Sequence, residues 1–385
     1  MPWAGVSLMQ LRRSLIEDYR RGSWSVSELA AEYGISRKTF YKWLARADAG
    51  GWAALADRSR RPRTSPQAVS AEIRAAVCAV RRRRPLWGPR KIRAWLCRRE
   101  PDRAWPSRVT MAAILRAAGL VERPPRIRAW PPPRGRTAAT LPNDVWTIDF
   151  KGDFRVGDGT RCHPLTVRDL ASRFTLACAA LTDPNRHATR RTLTRVFQEY
   201  GLPRCIRSDN GPPFAGPGLG GLSQLNVDWL RLGIRVEQIA PGRPDQNGAH
   251  EHFHRVLKAA TTRPPAPTVR RQQQRFNVFV RDYNTERPHE ALGDAVPATR
   301  YVASPRPCPA TLPDPEYPGH WDTSVVGSNG CIRWRGRTIF LTRALVRQRI
   351  ALEEVDDDLW TVRFAHLRLA RWDGRAHRLR PLPRD

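Results

Sequence analysis

The sequence predicts a chain in three parts: all-α units first, an α/β core next, and a small antiparallel β domain last. Three observations carry that prediction. Up to about residue 120, apolar residues recur at three- and four-residue spacing behind serines able to cap helices. Between residues 144 and 239, two-residue alternation is interleaved with helical stripes. Beyond 325, short alternating runs are punctuated by turn signals. A length of 385 residues leaves room for several domains.

Charge narrows the function classes. Lys and Arg number 67 against 36 Asp and Glu, a net charge of +31. Residues 1–142 carry 30 basic and 10 acidic side chains, so +20 of that excess lies in the first third. Such a balance points to a polyanionic partner, nucleic acid before membrane. No run of about 18 apolar residues is present, which argues against a membrane-spanning helix. The first fifteen residues lack the apolar stretch of a secretory signal. A cytoplasmic protein with no membrane partner is therefore expected. The seven cysteines are scattered and include no C-x-x-C pair, so reduced thiols are expected rather than a disulfide framework.

Element by element, a helix is expected over 8–21. Ser25 and Glu28 have the spacing of a capping box ahead of Val26, Leu29, Ala30 and Tyr33. Gly34 can end that helix, and Ser36 can cap the next, with Phe40, Trp43 and Leu44 inward. Helix, glycine-containing turn, helix is the helix-turn-helix pattern. Arg37, Lys38, Thr39 and Lys42 open the second helix, and these types contact phosphates and base edges in a major groove. A helix-turn-helix DNA-binding domain is thus expected over 1–60. A second such unit is expected over 68–122. There Ser70 and Ser107 act as caps, Pro89 opens the middle helix, and the tryptophans are core. Residues 123–142, with six prolines and five arginines, read as a semi-rigid basic linker.

In the α/β part, 144–150 is a strand with Trp146, Ile148 and Phe150 on one face and Val145, Thr147 and Asp149 on the other. A hairpin turn at Gly157–Gly159, strands near 163–169 and 173–181, and a helix started by Asp183-Pro184 follow. A short strand then runs into Ser208-Asp209, before a glycine-rich stretch at 215–221. Helices near 223–232, 249–261 and 268–284 and a strand near 234–239 complete it. The segment 325–372 reads as a small antiparallel sheet or barrel.

Three acids stand out: Asp149 mid-strand, Asp209 after a strand, and Glu251 on a helix. Burying a carboxylate in an apolar strand is costly without a compensating cation. Converging carboxylates suit hard Mg²⁺. Paired ions activate one oxygen and stabilise the leaving oxygen of a phosphodiester. On the last of these helices Ala249, Phe253, Val256, Leu257 and Ala260 share a face, with Glu251 and Lys258 opposite and His254 nearby.

Three segments now carry a resemblance: 143–152 (NDVWTIDFKG), 208–214 (SDNGPPF) and 246–258 (QNGAHEHFHRVLK). Together with Tyr283-Asn284, Glu286 to His289, Pro297 and Tyr301, they resemble the signatures of bacterial insertion-sequence transposases with a retroviral-integrase-type core. The resemblance implies a ribonuclease-H-like core over 143–302; the alternating runs beyond it place the small β-barrel-like domain over 320–380. It implies that Asp149, Asp209 and Glu251 are catalytic and hold two Mg²⁺ ions, with Mn²⁺ able to substitute. It implies cleavage of element ends and strand transfer into target DNA by a homo-multimer, with Arg255 and Lys258 on the DNA. The interval from Asp209 to Glu251 is longer than usual for such a core; Asp245 sits at the shorter spacing, but in the loop before the helix motif. Two rival readings stay open. His250, Glu251 and His254 match H-E-x-x-H, the zinc-protease helix, with Glu286 as a conceivable third ligand. A DNA-binding regulator built on the same scaffold is the other.

Overall fold

The computed structural model describes residues 7–59, 68–121, 137–239, 248–380 and 382. Two units separate, 1–69 and 70–385. Most of the 123–142 segment and Asp245 lie outside the described residues.

The first unit holds α1 (Leu8–Arg20), α2 (Val26–Glu32) and α3 (Arg37–Gly50). Ser7, Ser25 and Ser36 each accept a backbone N–H three residues on, and Ser25 and Glu28 form the reciprocal box. These caps satisfy amides that the helix itself leaves unpaired. Leu15, Leu29 and Phe40 form one buried cluster, and Ile16, Trp43, Ala47 and Leu55 another.

The second unit begins with α4 (Ala71–Arg83), α5 (Pro89–Arg99) and α6 (Arg108–Ala117), capped by Ser70 and Ser107 and opened at α5 by Pro89. Val77, Ile92, Leu96, Met111 and Leu115 pack with Trp87 and Trp105 between the helices.

A mixed α/β layer follows. Its strands are β1 (Val145–Phe150), β2 (Phe154–Arg155), β3 (Arg161–Asp169), β4 (Thr175–Leu181), β5 (Cys205–Ser208) and β6 (Arg235–Gln238). The sheet order is β4-β3-β1-β5-β6, with β2 on β3. The β4, β3 and β1 strands run antiparallel to their neighbours; β5 and β6 join parallel. Helices α7 (Arg186–Tyr200) and α8 (Gln224–Arg231) cover one face, where Trp146 and Ile148 meet Leu193, Phe197, Leu225 and Trp229. Helices α9 (Gly248–Thr261) and α10 (Val269–Thr285) cover the other, with Phe253, Val256, Leu257, Phe276 and Tyr283 inward. The cap of α7 is Asn185, not Asp183. Asn185 presents its oxygen to the Ala188 amide, whereas Asp183 accepts from the Asn185 side chain.

The last part has β7 (Asp322–Val325), β8 (Cys331–Trp334), β9 (Arg337–Phe340), β10 (Arg349–Asp356), β11 (Leu359–Phe364), β12 (Leu367–Asp373) and β13 (Arg378–Arg380). They pair as a five-stranded antiparallel sheet, β13-β12-β11-β10-β7, with β8–β9 as a separate hairpin. Arg335 and Gly336 both take positive φ in the hairpin turn, as a two-residue loop of this twist requires. The glycine-rich stretch before α8 does more than lengthen the chain. Leu222, with Val227 and Leu230 of α8, packs against Ile350, Leu352 and Val362 of this sheet. A Cβ on Gly218 would collide with the Thr342 side chain. The insertion is the ledge on which the β domain sits. All seven cysteines are free, and among the described residues no helix is long and apolar enough to cross a membrane.

Candidate active site

Strand alternation places Asp149. Its neighbours Trp146 and Ile148 go into the α7/α8 core, so Thr147 and Asp149 face α9. In the antiparallel ladder Asp149 lies opposite Thr166, and Thr147 opposite Arg168. In the parallel ladder Thr147 pairs with Arg207. Carrying that register forward two places brings Asp209 to the level of Asp149. The Asp209 loop is pinned by the Gly211 N–H, which donates to its carboxylate at 3.3 Å, and by Asn210, whose amide donates to the Ile239 carbonyl at 2.6 Å. Glu251 comes from the exposed side of α9. It lines an open cleft of about 480 Å³ with Asp149, Lys151, His254, Arg255 and Lys258.

Asp209 is not part of that cleft's lining, but its charge and that of Glu251 both reach Asp149. Burial pushes the Asp149 carboxyl up to about 7, and the charges of Asp209 and Glu251 add to it. A backbone hydrogen bond and Lys151 act the other way. Burial also raises Asp209. Partly buried carboxylates that feel one another's charge favour a divalent cation beside them. The oxygen donors suit such an ion.

Burial of the histidines departs from the helical-face expectation. His254 is not on an open polar face; only 4% of it is exposed, and His250 is fully buried. Both rings turn toward β1 and β3. Thr166 Oγ1 lies 2.6 Å from His250 Nε2 and 2.7 Å from His254 Nε2, and it donates to the Asp149 carbonyl at 3.0 Å. Thr147 Oγ1 lies 2.9 Å from His250 Nδ1. Burial drives both imidazoles below their ordinary range, His254 to about 3, so both are neutral. The protease-like reading fails on this geometry. Both His250 nitrogens are committed inside the protein, and Glu286 accepts a hydrogen bond from the Trp95 indole at 2.6 Å.

The remaining sites predicted from sequence fall as follows. Arg255 is exposed and donates to His252 Nδ1 at 2.8 Å; Lys258 is exposed at the cleft. In the first unit Arg37, Lys38 and Lys42 are exposed on α3, with the Lys42 ammonium 4.5 Å from the Trp43 ring centroid. Thr39 is half-buried, its hydroxyl 2.9 Å from Ser36 Oγ within the helix cap. Sequence reasoning missed Thr147, Thr166 and Arg168, polar residues facing α9 beside Asp149. Their period-two spacing on β1 and β3 was the available signal. Arg168 is buried, its guanidinium 4.3 Å from the Phe253 ring centroid and 3.2 Å from the Tyr283 hydroxyl.

Comparison with known proteins agrees with this layout. A helix-turn-helix domain model matches residues 11–63, and a homeodomain-like model matches 39–115. Integrase core domain models match 139–244 and 232–297. An insertion element IS476 protein of 39.2 kDa from Xanthomonas euvesicatoria is 29% identical over 184 residues, 47% of this chain and 51% of that one. An insertion element IS407 protein of 31.7 kDa from Burkholderia multivorans is 28% identical over 158 residues, 41% of this chain and 54% of that one. The chain thus spans about half the length of the curated relatives it matches. Among solved structures, the HTLV-2 integrase catalytic core domain in complex with magnesium is 15% identical, with a TM-score of 0.35, covering 43% of this chain and all of that one.

Proposed function

We propose that this chain is a bacterial insertion-element transposase with an integrase-type core, and that it cuts the ends of its element and joins them to target DNA. The core, with three antiparallel strands continued by two parallel ones between helix layers, is read as ribonuclease-H-like. Asp149, Asp209 and Glu251 would hold two Mg²⁺ ions, with Mn²⁺ able to replace them. Bound there, the ions would supply activation of the attacking oxygen and charge stabilisation on the leaving oxygen. The supporting observation is the half-buried Asp149 carboxyl, which burial first, and then the charges of Asp209 and Glu251, raise to about 7.

The chain's own residues divide the work. The β1 and β5 backbones fix Asp149 and Asp209, while α9 carries Glu251 on the open side, where a duplex can approach. Lys151, Arg255 and Lys258 border the same cleft and would hold phosphates beside the acids. Arg37, Lys38 and Lys42 of α3 would contact the terminal inverted repeats, with Thr39 helping through its helix end. We assign the protein to the cytoplasm, on the nucleoid, as a homo-multimer on DNA.

The test is Mg²⁺-dependent nicking and joining of DNA carrying the gene's own flanks, by the wild type and by Glu251→Gln. A neutral amide is a poor ligand for a hard cation, so the variant should lose about a thousandfold in rate, equivalent to ~4 kcal/mol, and still bind the ends. Full activity in the variant, or specific binding without cleavage by either protein in Mg²⁺ and Mn²⁺, overturns the reading.

A further inference from the structure

We propose that His254 is a nitrogen ligand of the cation at Asp149, and that Thr166 is the positioning residue that aims its Nδ1 lone pair there. The inference rests on the metal-site reading just given and adds a donor that the three acids do not include.

The His254 tautomer follows from a proton count around one hydroxyl. Thr166 Oγ1 has one hydrogen to give and two lone pairs to receive with. Three groups surround it: the Asp149 carbonyl at 3.0 Å, His250 Nε2 at 2.6 Å and His254 Nε2 at 2.7 Å. A carbonyl oxygen only accepts, and two oxygens at 3.0 Å with no proton between them repel. The hydroxyl proton therefore goes to the Asp149 carbonyl. Both imidazoles must then donate through Nε2–H. His250 closes its side of the count: with its proton on Nε2, its Nδ1 accepts from the Thr147 hydroxyl at 2.9 Å, closer than the Arg168 carbonyl at 3.5 Å. His254 is left with a bare Nδ1, on the ring edge away from the hub.

That lone pair faces Asp149. His254 Nδ1 lies 3.7 Å from Asp149 Oδ2, beyond hydrogen-bonding reach. Two donors each about 2.1 Å from one ion stand roughly 3–4 Å apart, depending on the angle between them. The pair has that separation. Among the described residues, Asp149, His250 and His254 also bring one potential ligand atom each within 4.8 Å of one another, and the count removes His250 from that set. The consequence is a mixed site. An imidazole nitrogen suits Mn²⁺ and later transition metals better than Mg²⁺, which prefers oxygen. Thr166 acts only through His254, holding the tautomer and the ring plane as outer partners of ligating histidines do.

The test uses the full-length chain and Mn²⁺ alone, read by electron paramagnetic resonance. Binding is titrated, and coupling of the bound ion to a directly ligated ¹⁴N is measured by electron spin-echo modulation. The wild type should bind Mn²⁺ with one imidazole nitrogen coupling. His254→Asn should lose the coupling and lower the ratio of Mn²⁺ to Mg²⁺ affinity about tenfold. Thr166→Val, nearly isosteric, should weaken Mn²⁺ binding by about 10-fold or more, within the range seen for outer partners of metal ligands. Thermal melts establish that each variant is folded. Asp149→Asn separates the two ideas. If it leaves Mn²⁺ binding untouched, the metal-site reading itself fails. If binding depends on Asp149 but the wild type shows no nitrogen coupling, or the coupling survives in His254→Asn, the inference alone is overturned.

Discussion

Both helical units ahead of the core cap their helices with serine and bury tryptophan, yet they dispose of their cations differently. In the first, the ion pairs are internal to the unit and mostly at its surface: Arg12 with Asp57, Arg13 with Glu17, Arg20 with Asp48 and Arg21 with Asp18. Arg37, Lys38 and Lys42 on α3 remain exposed. In the second, α4 and α5 turn arginines onto the acidic end of α10 and the segment after it. Arg84 meets Asp282 at 2.6 Å, Arg90 meets Asp294 at 2.9 Å and also Glu290, and Arg98 donates to the Glu286 carbonyl at 3.0 Å. Trp95 adds its indole N–H to the Glu286 carboxylate. Two stretches of similar basic composition thus differ in use. One leaves cations exposed on α3; the other engages several of them in holding the unit to the core.

The sharpest way to break that contrast is by charge removal. Arg37→Ala, Lys38→Ala and Lys42→Ala together should lower the slope of log affinity against log salt by about 0.9 for each phosphate no longer neutralised, up to about 2.7. Affinity for the element ends should fall by about 100-fold or more, measured by fluorescence anisotropy across a salt series. Arg90→Ala with Arg98→Ala, in the second unit, should change DNA affinity by less than about threefold. Equal losses from the two sets would erase the contrast.

Stability should answer in the opposite sense. Asp282→Ala leaves Arg84 partly buried without its carboxylate. Unpairing such a group costs about 1–3 kcal/mol, and urea unfolding should report it. Asp48→Ala, which breaks an exposed pair in the first unit, should cost within about 1 kcal/mol. The smallest effect concerns tryptophan. Trp95→Phe removes the N–H that reaches Glu286 and should cost about 1 kcal/mol. Trp24, half exposed, should tolerate Phe within about 0.5 kcal/mol. A larger loss at Trp24 than at Trp95 would mean that the docked face is not where this energy lies.

Much of the fold was legible because its signals are local. Serines 25, 36, 70 and 107 all cap where expected, since a cap needs only a side-chain oxygen and an amide three residues on. Trp146 and Ile148 enter the core and Asp149 leaves it because strand alternation is a backbone property. The α7 start was misplaced by two residues. Asp183, Pro184 and Asn185 are all helix-start residues, and only the backbone path selects the Asn185 oxygen. His254 was harder to place: a helical wheel sets it near Glu251, and nothing local says that β3 brings Thr166 up against it.

The sequence by itself therefore determined which residues become helix and strand, where the basic charge accumulates, and on which strand face Asp149 emerges. These follow from interactions across a few residues. Only the tertiary structure decided the rest. It set Thr166 opposite Asp149 and under two histidines more than eighty residues away. It made the glycine-rich insertion a ledge for the β domain, and it turned α4 and α5 arginines inward. In each case a side chain's role depends on the partner it meets, and long-range packing chooses the partner. Periodicity reports which face a residue occupies, and packing settles what that face touches.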